Sequence, residues 1–279
     1  MTGEETIFFG NAEDFSVSHR KAQSHHMPAS HFHSTYEIYY LMSGEREFFI
    51  KDRTLVINEG DIVIVAPNVL HRTTNAPKPK HERLIVNIHE RYMALNSPYA
   101  DILKLLLEKE YVIVKCSLQD RLTVEALAQG IMKETMDKKP GFEMYAQTLV
   151  MQLLLICCRH VKQNSMRPPE SPSPMHERIS EIVRYINSHY MEDMSLHLLA
   201  EKFYVSPYYL SRFFKEATGF TFVEYLNSVR IKEAKKLLEQ SSMKVYHIAA
   251  KVGFGSVTHF GRVFKSVTGY APLHFRKGK

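Results

Sequence analysis

Residues 248–269 read IAAKVGFGSVTHFGRVFKSVTG, and residues 199–219 read LAEKFYVSPYYLSRFFKEATG. Both segments show a helical stretch, a short turn and a second helical stretch that starts at serine and ends before glycine. The two segments align at seven further positions when one residue is inserted in the second. The aligned pairs are Ser206 and Ser256, Leu210 and Phe260, Arg212 and Arg262, Phe214 and Phe264, Lys215 and Lys265, Thr218 and Thr268, and Gly219 and Gly269. This duplication favours two helix-turn-helix motifs, at about 195–218 and 245–268, over an arbitrary helical domain.

The positive charge of the chain is concentrated in the same region. Residues 175–279 contain 16 Lys and Arg against 9 Asp and Glu, whereas the other 174 residues contain 20 against 21. A local basic excess is the electrostatic footprint of a nucleic-acid-binding module. A helical pattern at 222–239 separates the two motifs, and it would span about 27 Å. Such a helix can hold two recognition helices about one DNA turn apart, so we predict binding to duplex DNA.

The second motif resembles a known family. Residues 248–276 follow I-A-x-x-V-G-F-x-S-x-x-x-F-x-R-x-F-K-x-x-x-G-x-x-P-x-x-x-R, which is similar to the signature of AraC/XylS transcription regulators. The resemblance covers about 100 residues and departs at Ala271, where the family usually has Thr or Ser. It implies a regulator, in our interpretation an activator, that binds double-stranded DNA and works with RNA polymerase.

The same resemblance implies which side chains face DNA. They are Tyr208, Ser211 and Arg212 in the first motif and Thr258, His259 and Arg262 in the second, and we add Ser206, Tyr209 and Ser256 to this predicted interface. Arginine can bond guanine in a bidentate manner, whereas Ser and Thr are unselective. Lys215 and Lys265 lie late in their helices, so we assign them to phosphate. For Tyr208, Tyr209 and His259, packing within the domain is an open alternative.

The rest of the chain predicts a different architecture. Short β-rich runs at 36–42, 47–50, 55–58, 61–65 and 84–88 indicate a small antiparallel barrel, and residues 98–163 turn helical. The segment 165–174 has four prolines and three serines, as expected of a linker. We therefore predict an α+β protein of two domains: a cupin-like sensing and dimerisation domain (1–164), the linker, and a DNA-binding domain (175–279).

One group of side chains in the barrel could carry chemistry. On an extended strand His31, His33 and Glu37 share one side, and His71 follows a later strand. Imidazoles and a carboxylate together suit a divalent transition metal such as Zn, Fe, Mn or Ni. The spacing also resembles the two cupin motifs, although Val69 replaces a usual glycine. Alternatively, the same four groups bind a small organic effector, for example a sugar, without metal.

Composition narrows the function classes. We find no apolar run of the roughly 18 residues that a membrane helix needs, and three cysteines are too few for a disulfide framework. The start is acidic and unlike a signal peptide, so we expect a cytoplasmic protein. Three hypotheses remain: an effector-responsive regulator that is not an enzyme, a metal-dependent cupin enzyme fused to a DNA-binding domain, and a constitutive regulator with an inert barrel. We expect a homodimer through helices at 122–136 and 142–160.

Overall fold

The computed structural model describes residues 5–11, 14–23, 34–67, 69–76, 79–93, 100–163 and 174–277. The chain divides into two compact units, residues 1–51 with 55–172 and residues 52–54 with 173–279. The first contains an antiparallel sheet and helices, and the second is helical. This confirms the predicted α+β fold class. The predicted linker lies outside the described residues except for Pro174, which begins a helix.

The first unit is built on an eight-stranded sheet, counted over the described residues. Its strands are β1 (Glu5–Asn11), β2 (Phe15–Ala22), β3 (Tyr36–Ile50), β4 (Arg53–Asn58), β5 (Asp61–Val65), β6 (His71–Asn75), β7 (His81–Ile88) and β8 (Tyr111–Lys115). The order is β1-β2-β7-β3-β5-β8, and both β4 and β6 pair with β3. The predicted helical region 98–163 also contains a strand, β8, where Val112, Ile113 and Val114 form a β-branched run beside β5.

Strand β3 bends sharply in its middle. The rings of Tyr39 and Phe48 lie 5.2 Å apart, although nine residues of straight strand would span about 30 Å. The pairing register with β7 shifts between Leu41 and Ser43, and Gly44 has a φ of 91°. The first half of β3 pairs with β5 and β7, and the second half pairs with β6. The bend therefore curls the sheet around an interior.

The two faces of the sheet have different partners. Alternate β3 residues such as Ile38 and Tyr40 join a core with helices α1 (Ala100–Leu107), α2 (Leu118–Asp137) and α3 (Phe142–Gln163). The residues between them, Tyr39 and Leu41, face the barrel interior with Phe48, Val63 and Ile85. Period-two alternation in a strand buried on both faces gives this division.

Helix α3 passes the length and composition test for a membrane span over residues 142–162, alone among the helices of the described ranges. One such helix is weak evidence for a span. Its side chains at Ala146, Val150, Leu153, Leu154, Cys157 and Cys158 are buried in the core of the unit. We interpret α3 as a core helix.

The second unit consists of short helices around one longer helix. They are α4 (Pro174–His189), α5 (Leu196–Lys202), α6 (Pro207–Thr218), α7 (Phe222–Gln240), α8 (Val245–Lys251), α9 (Val257–Thr268) and α10 (Pro272–Lys277). Helix α7 begins with a capping box between Thr221 and Glu224. Its apolar face, including Ile231 and Leu238, packs against residues of the second repeat such as Phe260. The central helix is thus capped locally and fixed by packing.

We predict that the bend in β3 depends on Gly44. A Cβ at this position would lie 2.3 Å from the carbonyl oxygen of Lys80, in addition to the cost of a positive φ. Gly44→Ala should lower the free energy of unfolding by about 3 kcal/mol or more, measured by urea titration of the full chain. Gly141→Ala is the matched control, since Gly141 has a φ of 83° but no atom within 4 Å of the added Cβ. It should cost about 1 kcal/mol, and equal losses in the two variants would contradict the steric argument.

Candidate functional site

Each repeat forms a seven-residue helix, a turn and a twelve-residue helix. Ala200 and Ala249 are buried on the first helices, and Leu210 and Phe260 are buried on the second. The small buried alanines allow the two helices of each motif to approach closely. The hydroxyl of Ser206 accepts a hydrogen bond from the Tyr209 N–H at 3.2 Å, and Ser256 likewise caps α9. Serine therefore starts the second helix of both motifs.

The turns of the two motifs share a left-handed residue. In the first it is Tyr204, with a φ of 53° and an exposed fraction of 92%; in the second it is Gly253, with a φ of 90°. A Cβ at Gly253 would lie 2.8 Å from the carbonyl oxygens of Tyr190 and Met191, so only glycine fits the second turn. Both turns therefore contain a residue with a positive φ, but neighbouring backbone atoms crowd this residue in the second turn.

The second helices present matching exposed faces. On α6 these are the side chains of Tyr208, Ser211, Arg212 and Lys215, and on α9 those of Thr258, His259, Arg262 and Lys265. Positions three or four apart lie on one side of a helix. Each motif therefore carries a polar, cationic surface of the kind that reads base edges and phosphates.

Several residues of the predicted interface also have contacts within the domain. The ring of His259 lies 5.6 Å from that of Phe254, in an edge-to-face arrangement. Tyr209 is half-buried, its hydroxyl donates to the sulfur of Met175 at 3.0 Å, and its ring lies 4.3 Å from that of Phe213. This favours the packing alternative for Tyr209. Ser206 and Ser256 remain exposed, but their oxygens already accept the capping hydrogen bonds.

In the barrel, Glu37 and His71 are brought together. Both side chains are buried, and Nε2 of His71 lies 3.5 Å from a carboxylate oxygen of Glu37. The other ring nitrogen, Nδ1, donates to the carbonyl of Val69 at 2.8 Å, and the ring stacks on Phe48. Burial lowers the pKa of His71, but the charge and hydrogen bond of Glu37, with the Val69 carbonyl, raise it above the ordinary value.

The remaining two members of the predicted group, His31 and His33, lie outside the described residues. Within the described ranges, no three or more His, Cys, Asp or Glu side chains cluster as a metal site would require. Glu37 and His71 supply two donors, and transition-metal sites commonly use three or four protein ligands. The described residues therefore do not complete such a site, and metal binding stays a prediction.

The sequence reasoning missed a second polar group on the same interior. It comprises Tyr39, Arg46, His81 and Arg83, all buried. Arg46 donates to the amide oxygen of Asn75 at 2.6 Å, and the Arg83 guanidinium lies 5.5 Å from the centre of the Tyr39 ring. The available signal was an arginine in the same alternation as the inward-facing Phe48 and Ile50 of β3.

Two family models match the two units of this chain. A model of the AraC-like ligand binding domain matches residues 14–154, half of the chain, and a helix-turn-helix domain model matches residues 199–278. The chain belongs to the AraC family of transcriptional regulators. As an AraC-family member it carries the ligand-binding domain in its first unit and both helix-turn-helix motifs in its second.

Individual relatives differ in how much of the chain they match. The bifunctional transcriptional activator/DNA repair enzyme AdaA of Bacillus subtilis is 35% identical over 120 residues, which are 43% of this chain and 54% of AdaA. The chain thus spans about half the length of AdaA. The uncharacterized regulator YfiF of the same organism is 24% identical and covers 91% of this chain and 80% of its own. A solved structure of ToxT from Vibrio cholerae is 16% identical, covers 95% of this chain and 98% of its own, and superposes with a TM-score of 0.39.

We predict that Glu37 controls the protonation of His71. Because the pKa of His71 is raised in the folded chain, its protonation stabilises the fold below about pH 6.5 and this contribution is lost as pH rises through the folded pKa. Glu37→Gln should lower the pKa, measured by NMR titration of the histidine ring protons. The stability of the variant should also change less between pH 6 and 8. Glu143→Gln, at an exposed carboxylate of α3, is the control, and an unchanged His71 titration in Glu37→Gln would contradict the assignment.

Proposed function

We propose that this protein is a sequence-specific DNA-binding transcription regulator, an activator, that responds to a small molecule held by its first unit. The observation that carries the proposal is the duplicated helix-turn-helix, in which an arginine and a lysine are exposed at equivalent positions of α6 and α9. The family models support the same division of labour, with ligand binding in residues 14–154 and the helix-turn-helix domain in residues 199–278. RNA polymerase is the partner through which such an activator acts.

On DNA, α6 and α9 enter successive major grooves. Arg212 and Arg262 are exposed at equivalent positions, and each can donate two hydrogen bonds to O6 and N7 of guanine. Lys215 and Lys265 lie one turn further along and bind phosphate, which fixes position without reading sequence. The intervening α7 is 19 residues long, about 28 Å, and its packing keeps the second motif in a fixed orientation.

We propose no catalytic reaction for this chain. We also propose that it acts in the cytoplasm. A metal-dependent enzyme would need an open coordination position and a base. Glu37, the carboxylate of the predicted group, instead lies against His71 in the barrel interior. The description of AdaA as a repair enzyme concerns that protein, and its alignment covers 43% of this chain. Turnover assays of the purified chain with iron or manganese test the enzyme alternative.

Base reading can be separated from phosphate binding by mutation. A duplex selected from random sequence by the full chain serves as the operator. Arg212→Ala and Arg262→Ala should each lose about 1–3 kcal/mol of affinity and relax the preference at one base pair. Lys215→Ala should weaken binding to all duplexes similarly, whereas Lys236→Ala, at a lysine of α7 that pairs with Glu233, should have little effect. Wild-type affinity in both arginine variants would refute the groove assignment.

We also propose a homodimer formed through α2 and the start of α3. The apolar side chains Val150, Leu153 and Leu154 of α3 are buried in the monomer core, so they do not form this surface. The exposed large apolar side chains of these helices are Leu118, Leu122, Met136, Met144 and Tyr145. Apolar side chains that remain in solvent on one helix pair favour a self-association surface.

Leu122 is an exposed apolar residue of α2, with an exposed fraction of 74%. Leu122→Glu adds a charge to the apolar surface, so it should shift the full chain from dimer to monomer in sedimentation velocity at a fixed concentration. Ile102→Glu is the control, since Ile102 is an exposed apolar residue of α1. A Leu122→Glu chain that stays dimeric, or equal dissociation in both variants, would exclude α2 as the interface.

A further inference from the structure

Two arginines are buried in the interior of the barrel. Arg46 on β3 has no exposed surface, and Arg83 on β7 has an exposed fraction of 5%. In the strand register Arg83 lies opposite Leu41, and His81, two residues before it, lies opposite Gly44. The bend of β3 therefore brings Arg46, His81 and Arg83 to the same part of the interior.

The hydrogen bonds of this group are incomplete within the described ranges. Nε and Nη1 of Arg83 and Nε2 of His81 are buried without a hydrogen-bond partner there. Arginine keeps its proton at any ordinary pH, so a buried guanidinium cannot avoid the cost of desolvation by becoming neutral. A buried cation is stable only when an anion and hydrogen bonds compensate it.

The pKa of His81 indicates the sign of the electrostatic potential around it. Its Nδ1 donates to the carbonyl of Pro79 at 2.8 Å, so Nε2 points to the interior. Burial, followed by the charges of Arg46, Arg83 and Arg20, lowers the pKa of His81 to about 4. The charges of three arginines thus act on the His81 ring, and the electrostatic potential at that ring is positive.

Two carboxylates near Arg83 are engaged elsewhere, and Glu47, beside Arg46 in the chain, accepts a hydrogen bond from Thr74 at 3.3 Å. Glu37 lies against His71 on the same interior. Glu82, between His81 and Arg83 in the chain, bonds His19 at 3.0 Å and Lys21 at 3.4 Å. Neither carboxylate supplies the hydrogen bonds that Arg83 lacks.

We propose that Arg46 and Arg83, which lie beside His81, form an anion-binding subsite, and that the effector of this regulator is a small organic anion with a carboxylate or phosphate group. The proposal rests on the proposed function and specifies the chemistry of its effector. The geometry is preorganised, because Asn75 holds Arg46 and the Tyr39 ring lies beside the Arg83 guanidinium. Guanidinium groups bind carboxylate and phosphate through charge-assisted, often bidentate hydrogen bonds.

The test measures binding of inorganic phosphate and of acetate to the full chain by calorimetry, against sodium chloride at equal ionic strength. Phosphate also binds basic DNA-contacting surfaces. The difference in anion affinity between the wild type and the Arg83 variant therefore tests the subsite. Arg83→Met should weaken the binding of at least one of the two anions about tenfold or more. Arg91→Met, which removes an exposed arginine of the same unit paired with Asp14, should leave both affinities unchanged.

A second measurement separates anion binding from a structural role. Without anion, Arg83→Met should melt at the same temperature as the wild type or higher, because it removes a buried cation that lacks hydrogen bonds. If this variant does not fold, Arg83→Lys keeps the charge but loses the planar fork, and should still weaken anion binding. Equal anion affinities in the wild type and the folded Arg83 variant would overturn the proposal, as would a wild type that binds neither anion.

The outcomes for the two proposals are distinguishable. A chain that binds its selected duplex but shows no Arg83-dependent anion binding overturns the anion subsite alone. A chain that binds phosphate or acetate through Arg83 but selects no duplex from random sequence overturns the proposed function alone.

Discussion

The close contact between Gly44 and the backbone at Lys80 and His81 is the constraint on which the first unit depends. Only a residue without a side chain allows β3 to turn where it does, since a Cβ there would overlap the Lys80 carbonyl. Because of this turn, one strand pairs with β5 and β7 and then with β6. The same turn encloses Tyr39 and Phe48 in one interior and brings Arg46 near His81 and Arg83. The proposed anion subsite therefore depends on the turn at Gly44, because this turn brings its arginines together.

The second unit solves a different problem, which is to present two similar surfaces in fixed positions. Both motifs use the same devices: a serine cap, a left-handed residue in the turn and a buried apolar side chain in the second helix. The turn residue differs, because Gly253 is crowded by Tyr190 and Met191 whereas Tyr204 is exposed. Helix α7 packs on the second motif and holds its orientation. Duplication thus supplies two recognition surfaces, and packing around α7 makes them rigid.

Much of the second unit could be predicted because its determinants are local. Caps, glycine stops and helical periodicity depend on residues a few positions apart, so the predicted motifs end where α6 and α9 end and the predicted helix 222–239 matches α7. The barrel was harder, since β1, β2 and β6 are partly polar strands, and β2 and β6 pair with segments distant in the chain. Strand β8 was predicted as helix because its neighbours in the chain are helical, although it pairs with β5 about fifty residues earlier.

The sequence by itself determined the duplicated motif, its charge and the exposed residues Arg212 and Arg262, because a repeat and a helical period are properties of neighbouring residues. It also indicated Glu37 and His71 as polar members of the barrel. Only the tertiary structure decided that these two form a buried pair, and that Arg46, His81 and Arg83 share one interior. Their positions in the chain are up to 37 apart, and the contact depends on the bend of β3 and its register with β7. Those are long-range features that no local pattern encodes.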